Sequence, residues 1–195
     1  IDEWDFIREK LNKICIEQHK WRGLRSLFIP KNNLTYRVVS QLDPVDSFLS
    51  IAILRKIGEK IEEKRIPESK KKVFSYRFEK NGNIGQIYKI KNSWNEYWNE
   101  CERRAKNFDY ILQTDITDFY NQINHHIIEQ ELDTCGINSD FKKSIVNLLN
   151  KSSGDYSRGI PVGPQISHIL AETSLIGIDN NLKLEKIDFC RFVDD

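Results

Sequence analysis

Apolar residues in the N-terminal part of the chain recur at helical spacing. The first run, Trp4, Ile7, Leu11 and Ile14, predicts an amphipathic helix over residues 2–20. A second helix is predicted to begin at Asp43, because aspartate favours the N-cap and Pro44 suits the first helical turn. Pro67 is predicted to end it. Its predicted buried face consists of Phe48, Leu49, Ala52, Ile53, Ile57 and Ile61.

A strand-like pattern follows. Residues 73–78 and 84–90 are rich in aromatic and β-branched side chains and flank Asn81-Gly82-Asn83, which predicts a β-hairpin. Ser93 and Glu96 then form a capping box, which predicts the start of a helix. An aromatic stripe on that helix could stack on nucleic-acid bases, although such a stripe more often belongs to a core. The stripe comprises Trp94, Tyr97 and Trp98, with Cys101 on the same face.

From residue 109 onward, strand and helix patterns alternate. The predicted order is a strand at 110–116, helices at 120–132 and 140–150, a loop at 151–164, a helix at 165–178 and a strand at 187–193. No glycine-rich phosphate loop accompanies this alternation, which argues against a dinucleotide-binding fold. The chain is therefore predicted to have an α+β fold, with helices on one face of a sheet.

Composition narrows the function classes. Mean hydropathy is −0.57, and no run approaches the roughly 18 apolar residues of a membrane span, so we expect a soluble, cytoplasmic protein. The four cysteines lie far apart and the four histidines complete no zinc pattern, so no structural metal is expected. The chain begins at Ile1 and ends inside an acidic motif, so we expect it to be part of a longer protein.

The net charge of +1 conceals a segregation of charge along the chain. Residues 51–80 carry ten basic and five acidic side chains, whereas residues 107–140 carry seven acidic ones and no Lys or Arg. A basic segment suits a phosphate backbone, and an acidic segment suits metal ions. Alternating charges at 55–65 favour a solvated helix face instead. For Lys70-Lys71-Lys72 with Arg77, both interpretations stay open.

Acidic residues end two strand-like runs that lie far apart in the sequence. Asp115 ends the first run, and Asp194 with Asp195 ends the second. Taken singly, such aspartates are usually turn formers or helix caps. A Gly/Pro loop at 158–167 lies between them and leads into an apolar helix. Together the three segments predict a polymerase palm, in which carboxylates from neighbouring strands hold two divalent metal ions.

The order of these segments is that of the reverse transcriptase motifs A, B and C. Residues 115–120 resemble motif A, residues 159–167 resemble motif B, and residues 192–195 resemble the aromatic-x-Asp-Asp box of motif C. The resemblance extends over residues 36–195 and is greatest to prokaryotic reverse transcriptases of the abortive-infection and phage-defence type. The upstream segments similar to the fingers are Tyr36-Arg37, Leu42-Asp43-Pro44 and 73–78.

The resemblance implies a right-hand polymerase fold. Residues 1–105 would form the N-terminal region and fingers, and residues 106–195 the palm, with an antiparallel palm sheet and the chain ending before the thumb. The implied activity is RNA-directed DNA synthesis from an RNA template, a DNA primer and dNTPs, in antiviral defence. Template-independent deoxynucleotide addition and a non-catalytic RNA-binding scaffold remain as alternatives. The sequence does not indicate the oligomeric state.

Within motifs A and C, the resemblance implies a metal site. Asp115 and Asp194 would bridge two Mg²⁺ ions, for which Mn²⁺ could substitute. Asp195 would add a further carboxylate, and the Ile116 carbonyl would complete one coordination sphere.

Other residues of the motifs are expected to contact the nucleotide. In motif A, Tyr120 beside Phe119 matches the family's steric gate against ribose, with a core tyrosine as the alternative. Asp118 is expected to cap the next helix, whose backbone N–H groups would face phosphate.

In motif B, Gly159 and Gly163 would let the backbone approach the substrate closely. Ser167 would cap or line the following helix. Val162 stands where many reverse transcriptases have Gln, which leaves templating in doubt. Candidates for binding the triphosphate are Arg77, ranked first because it lies on the predicted fingers hairpin, then Arg37 and Arg158.

Overall fold

The computed structural model describes residues 3–31, 34–82, 85–89, 93–154 and 156–194. Helices in these ranges, together with a small antiparallel sheet, give the predicted α+β fold. None of the described helices combines the length and the apolar character needed to span a membrane. The elements are α1 (Trp4–Asn12), β1 (Arg25–Pro30), β2 (Tyr36–Gln41), α2 (Pro44–Lys64), α3 (Ser93–Ala105), α4 (Phe119–Gln122), α5 (His125–Thr134), α6 (Ser139–Ser153), α7 (Gln165–Ser174) and α8 (Ile176–Leu184).

Helix α2 begins where the sequence predicted and supplies one side of the core. The Asp43 carboxylate accepts the backbone N–H of Val45 at 3.0 Å, which caps the first turn. Phe48 and Ala52, predicted to be buried, are exposed instead, because they lie one position away from the buried stripe. The buried apolar side chains of α2 are Leu49, Ile53, Leu54, Ile57 and Ile61.

The core forms where α2 meets the helices of the C-terminal half. Helix α7 packs against both α2 and α5, and α5 packs against α6. Asn124 and Asn138 cap α5 and α6 by accepting backbone N–H groups at 2.8 and 2.7 Å. These helices form the support for the loop that precedes α7. Their fully buried side chains are Ile128, Leu132, Ile145, Leu148, Leu149, Ile166, Ile169 and Leu170.

A two-stranded antiparallel sheet before α2 was missed by sequence analysis. Strands β1 and β2 pair along six residues each, and Phe28 at their centre is 70% exposed. Because neither strand has a buried face, no alternation of apolar and polar residues marks them. The Ser40 N–H donates to the Val162 carbonyl at 2.6 Å, which joins the sheet to the loop before α7.

The hairpin predicted over residues 73–90 is confirmed at its centre. Two backbone hydrogen bonds, at 2.9 and 2.8 Å, join residues 77 and 79 to residues 89 and 87. Asn83 of the predicted turn and positions 84 and 90 lie outside the described residues. The hairpin packs on α2 at Gly58, where an added Cβ would lie 2.4 Å from the Phe78 ring. Glycine at this position therefore allows the ring to rest directly on the helix backbone.

Two predicted strands are not formed within the described ranges. Residues 110–116 contain no strand, and Tyr110 is 92% exposed. Residues 187–193 also contain none; Arg191 instead pairs with the chain at Lys72 and Phe74, through backbone hydrogen bonds of 2.7 and 3.1 Å. A strand needs a row of backbone partners, and apolar content does not supply one. The predicted palm sheet is therefore absent from the part of the chain that the structure describes.

Three predicted helices are shorter than their apolar spacing suggested. The helix predicted at 2–20 ends at Asn12 and is followed by a 3₁₀ turn, Ile16–Gln18. The helix predicted at 120–132 divides into α4 and α5, and the one predicted at 165–178 divides into α7 and α8. Apolar spacing continues across each break, so periodicity alone does not reveal it.

The packing of α2 makes a testable prediction at Ile53, which is 0% exposed. Ile53→Val should lower the free energy of unfolding by about 1 kcal/mol, because a buried methyl group is lost and a small cavity remains. Chemical denaturation followed by circular dichroism measures the change. Ile178→Val makes the same substitution at a 50% exposed position on α8 and should change the free energy by less than about 0.5 kcal/mol. Equal effects at both positions would contradict the assigned core.

Candidate active site

The middle of the chain and its C-terminal segment meet at the two predicted acidic positions. The backbone N–H of Ile116 donates to the carbonyl oxygen of Asp194 at 3.2 Å. Asp115, which directly precedes Ile116, therefore lies beside the segment that carries Asp194. Asp195 lies outside the described residues. Two of the three predicted carboxylates are thus on adjacent stretches of backbone.

The oxygen atoms at this meeting point are of the kind that Mg²⁺ prefers. Asp115 is exposed and Asp194 is half-buried, so the Asp115 carboxylate is open to solvent. Carboxylate oxygens, with the Ile116 carbonyl as a further oxygen, fit a hard divalent cation. Among the described residues, which exclude Asp195, no three His, Cys, Asp or Glu side chains converge to hold a metal. The donor chemistry fits Mg²⁺, and two of the three predicted carboxylate residues lie in the described part of the candidate site.

Tyr120 belongs to a cluster of rings next to Asp194. Its hydroxyl lies 2.9 Å from Nδ1 of His168, and the Tyr76 ring stacks on His168 with centroids 3.9 Å apart. Burial lowers the pKa of His168 to about 4, so the ring is neutral near pH 7. Its Nδ1 can therefore accept a hydrogen bond from the Tyr120 hydroxyl. Burial and nearby negative charge, including that of Asp194, raise the pKa of Tyr120. The Tyr120 hydroxyl therefore keeps its proton beside the carboxylate.

Asp118 does not cap α4 as the sequence predicted. Its backbone is left-handed, with φ of 56°, and its side chain accepts from the Asn121 amide at 2.7 Å rather than from a backbone N–H. Helix α4 has four residues, which is too short to present a developed N-terminal anion site. Phe119, next in sequence, is buried in the core and anchors this turn.

The glycines of the loop before α7 approach the protein's own backbone. At Gly163, with φ of 124°, an added Cβ would lie 2.7 Å from the carbonyl oxygen of Ser40 on β2. At Gly159 the nearest atom to an added Cβ would be the Asn121 carbonyl oxygen, at 3.3 Å. Ser167 is 0% exposed, and its hydroxyl has no partner among the described residues. The observed close contacts therefore join motif B to β2 and α4.

The three candidate arginines differ in where their charge lies. Arg77 is 4% exposed, pairs with Glu62 at 2.6 Å and donates to the Ile66 carbonyl, and burial lowers its pKa. Its high ranking as a triphosphate ligand is therefore not supported by its position. Arg158 is exposed. Arg37 is exposed, and its positive charge partly offsets the burial and the negative charges that raise the pKa of Tyr76, which places Arg37 near the ring cluster.

Several residues around the site were missed by sequence analysis. His168 and Tyr76 support Tyr120, and Glu172 with Arg191 lies behind the C-terminal segment. For Glu172 and Arg191 a signal was present, because each is a charged residue inside an apolar run, where a charge is rarely buried unless it is paired. The histidine and the tyrosine carried no such signal.

A comparison with protein-family models establishes the family. The model described as reverse transcriptase (RNA-dependent DNA polymerase) matches residues 29–195. The match covers most of the chain and includes both acidic positions and the loop between them, so the chain belongs to the reverse transcriptase family. The family predicted from the order of the motifs is thereby confirmed. A search of curated protein sequences returned no match.

The low pKa of His168 predicts a pH dependence of stability. A half-buried histidine with a folded-state pKa of about 4, against an ordinary value of 6.5, takes up a proton more readily when unfolded. The contribution of the neutral His168 ring to the free energy of unfolding is therefore fully present above pH 6.5 and is lost as the pH falls towards 4. His168→Gln should reduce the drop in unfolding free energy between pH 7 and pH 5 by about 1 to 2 kcal/mol.

Urea denaturation of both proteins at the two pH values measures this difference. His126→Gln, at an exposed position on α5, is the matched control and should leave the drop as in the unmodified protein. A drop that is the same in the His168 variant would contradict the neutral state of that ring in the folded protein.

Proposed function

We propose that the protein is an RNA-directed DNA polymerase that adds dNTPs to a primer 3′ hydroxyl by two-metal phosphoryl transfer. The observation that carries this proposal is the hydrogen bond between the Ile116 N–H and the Asp194 carbonyl, which joins the backbones of the two segments that carry family-motif carboxylates. Membership in the reverse transcriptase family supports the reaction class. Two-metal catalysis needs carboxylates from separate segments at one point, and a contact between these two segments supports such an arrangement.

In the proposed mechanism, Asp115, Asp194, Asp195 and the Ile116 carbonyl would hold two Mg²⁺ ions. Metal binding there would supply the positive charge that activates the primer hydroxyl and stabilises the leaving pyrophosphate. The remaining roles fall to side chains. Tyr120 lies against the sugar, held by His168, and a 2′ hydroxyl would collide with its ring. Arg37, exposed and close to Tyr76, binds the triphosphate, with Arg158 as a second candidate.

The wider proposals follow from the family and the distribution of charge. Residues 1–105 act as the N-terminal region and fingers, and residues 106–195 as the palm. The partners are an RNA template, a DNA primer or product, and dNTPs. The biological role is antiviral defence in a prokaryote, which rests on the resemblance of the motifs alone.

A second candidate function is template-independent deoxynucleotide addition. It is favoured by Val162, which stands at a position where many reverse transcriptases carry Gln and thus lacks a polar side chain for the base pair. A non-catalytic RNA-binding scaffold is disfavoured, because Asp115, Asp194 and Asp195 are all present. Primer extension with and without a template separates the first two functions. Only a template-directed enzyme makes a product that is complementary to the template supplied.

The metal assignment predicts that Asp115→Asn abolishes synthesis while leaving the fold in place. Incorporation by the full-length protein should fall by about a thousandfold or more, which corresponds to roughly 4 kcal/mol of barrier. The loss is expected because a neutral amide would hold divalent cations far more weakly than a carboxylate would. Single-nucleotide extension with Mg²⁺ measures the rate, and circular dichroism confirms the fold.

Asp109→Asn is the matched control for this substitution. Asp109 is an exposed aspartate six positions earlier in the same segment, and its substitution should leave incorporation unchanged. Retained incorporation in Asp115→Asn would remove this residue from the metal site and would withdraw the proposed mechanism.

The position of Tyr120 predicts selection against ribonucleotides. Tyr120→Ala removes the ring and should raise the use of rNTPs relative to dNTPs by about tenfold or more, a change of roughly 1.4 kcal/mol in discrimination. Tyr120→Phe keeps the ring and loses only the hydroxyl, so it should keep most of the discrimination. Competition between the two nucleotides in primer extension measures both. Unchanged discrimination in Tyr120→Ala would assign this tyrosine to the core instead.

A further inference from the structure

A network of buried charges lies directly behind the segment that carries Asp194. Arg65 donates to Glu172 at 2.6 Å, and Arg191 donates to the same Glu172 oxygen at 2.9 Å. Arg191 also forms a two-pronged pair with Asp179, at 2.9 and 2.7 Å. All four side chains are buried; Arg65 follows α2, Glu172 and Asp179 lie on α7 and α8, and Arg191 lies in the C-terminal segment. The two arginines balance the two carboxylates, so this network has no surplus negative charge with which to attract a metal ion.

The network holds the backbone of Val193, the residue before Asp194. The Ser75 hydroxyl donates to Glu172 and accepts the Val193 N–H at 2.8 Å. Arg191 donates to the Val193 carbonyl oxygen at 2.5 Å. Both polar groups of the Val193 backbone are therefore bound by side chains that are themselves fixed by Glu172.

Val193 needs this support because of its conformation. Its φ is 59°, in the left-handed region that β-branched residues rarely adopt. Such a backbone persists only where the surrounding contacts determine it. A change of conformation at Val193 would redirect the Asp194 side chain, because the two residues share a peptide bond.

We propose that Ser75, Glu172 and Arg191 position Asp194 by holding the Val193 backbone, so that the Asp194 carboxylate faces Asp115. Ser75 is then a positioning residue, which acts on the metal site without touching the metal. This inference rests on the proposed function. The family match does not assign a role to any of the three residues.

Ser75 is the right residue to test, because it carries no charge. Removing Glu172 would take from the buried Arg65 and Arg191 the carboxylate that they share, and the resulting loss of stability would obscure any effect on the site. Ser75→Ala removes one hydroxyl and leaves every ion pair of the network in place. Ser75→Cys keeps a weak hydrogen-bond donor and acceptor of similar shape, so it should keep part of the support for the Val193 backbone that Ser75→Ala removes.

The experiment measures incorporation by the full-length protein as a function of Mg²⁺ concentration. Ser75→Ala should raise the Mg²⁺ concentration for half-maximal rate by about tenfold or more, as is typical when the partner that orients a metal ligand is lost. Ser75→Cys should lie between Ser75→Ala and the unmodified protein. A purely structural role would lower the thermal midpoint without moving the Mg²⁺ dependence measured well below that midpoint.

Ser144→Ala is the matched control. Ser144 is also 0% exposed, its hydroxyl has no partner among the described residues, and it lies on α6 away from the network. Its substitution should leave the Mg²⁺ dependence unchanged. Equal Mg²⁺ dependence of Ser75→Ala and Ser144→Ala, in a protein that Asp194→Asn inactivates, would overturn the inference.

Two further outcomes separate this inference from the proposed function. If the unmodified protein incorporates no nucleotide, or if Asp194→Asn retains incorporation, the proposed function fails, and the positioning role that rests on it falls too. If Ser75→Ala does not fold, Ser75→Cys decides alone: an unchanged Mg²⁺ dependence overturns the positioning role, and a raised one supports it.

Discussion

The arrangement around the candidate site depends on the buried carboxylate of Glu172. This group is 1% exposed and accepts hydrogen bonds from Arg65, Arg191 and Ser75. Burial by itself would raise the pKa of Glu172, but the charges of Arg191 and Arg65 outweigh burial and lower it. The end of α2, the hairpin, α7 and the C-terminal segment therefore meet at one ionised group. Its removal would leave two buried guanidinium groups without their shared partner.

Features that depend on local pattern could be predicted from the sequence. The start of α2 needs only Asp43 and the next two residues, and the hairpin centre needs two apolar runs around a turn. The family followed from the order of three short motifs. The predicted strand at 110–116 failed because a strand requires partners elsewhere in the chain. The pairing of Arg65 with Glu172 joins residues 107 positions apart, and no local pattern encodes it.

The candidate arginines show that local sequence pattern also fails to predict the burial of single side chains. Arg37 and Arg77 each stand among aromatic and β-branched residues, and the sequence favoured Arg77 because of the hairpin. In the fold, Glu62 on α2 draws Arg77 inward, while β2 leaves Arg37 exposed. Which of two similar arginines is available to a ligand depends on the helix that the hairpin packs against. Spacing within the hairpin carries no information about that helix.

Two neighbouring hairpin residues connect the acidic segment, where the proposed mechanism places the metals, to Tyr120, where it places the sugar. Ser75 binds the Val193 backbone, and Tyr76, with a left-handed φ of 45°, stacks on the His168 ring that holds Tyr120. Non-glycine residues seldom adopt this conformation, and at position 76 it lets adjacent side chains serve different partners. Because both contacts come from adjacent residues, a shift of the hairpin would displace the acidic segment and the tyrosine together. If the proposed roles hold, the hairpin couples the geometry of metal binding to the geometry of nucleotide selection.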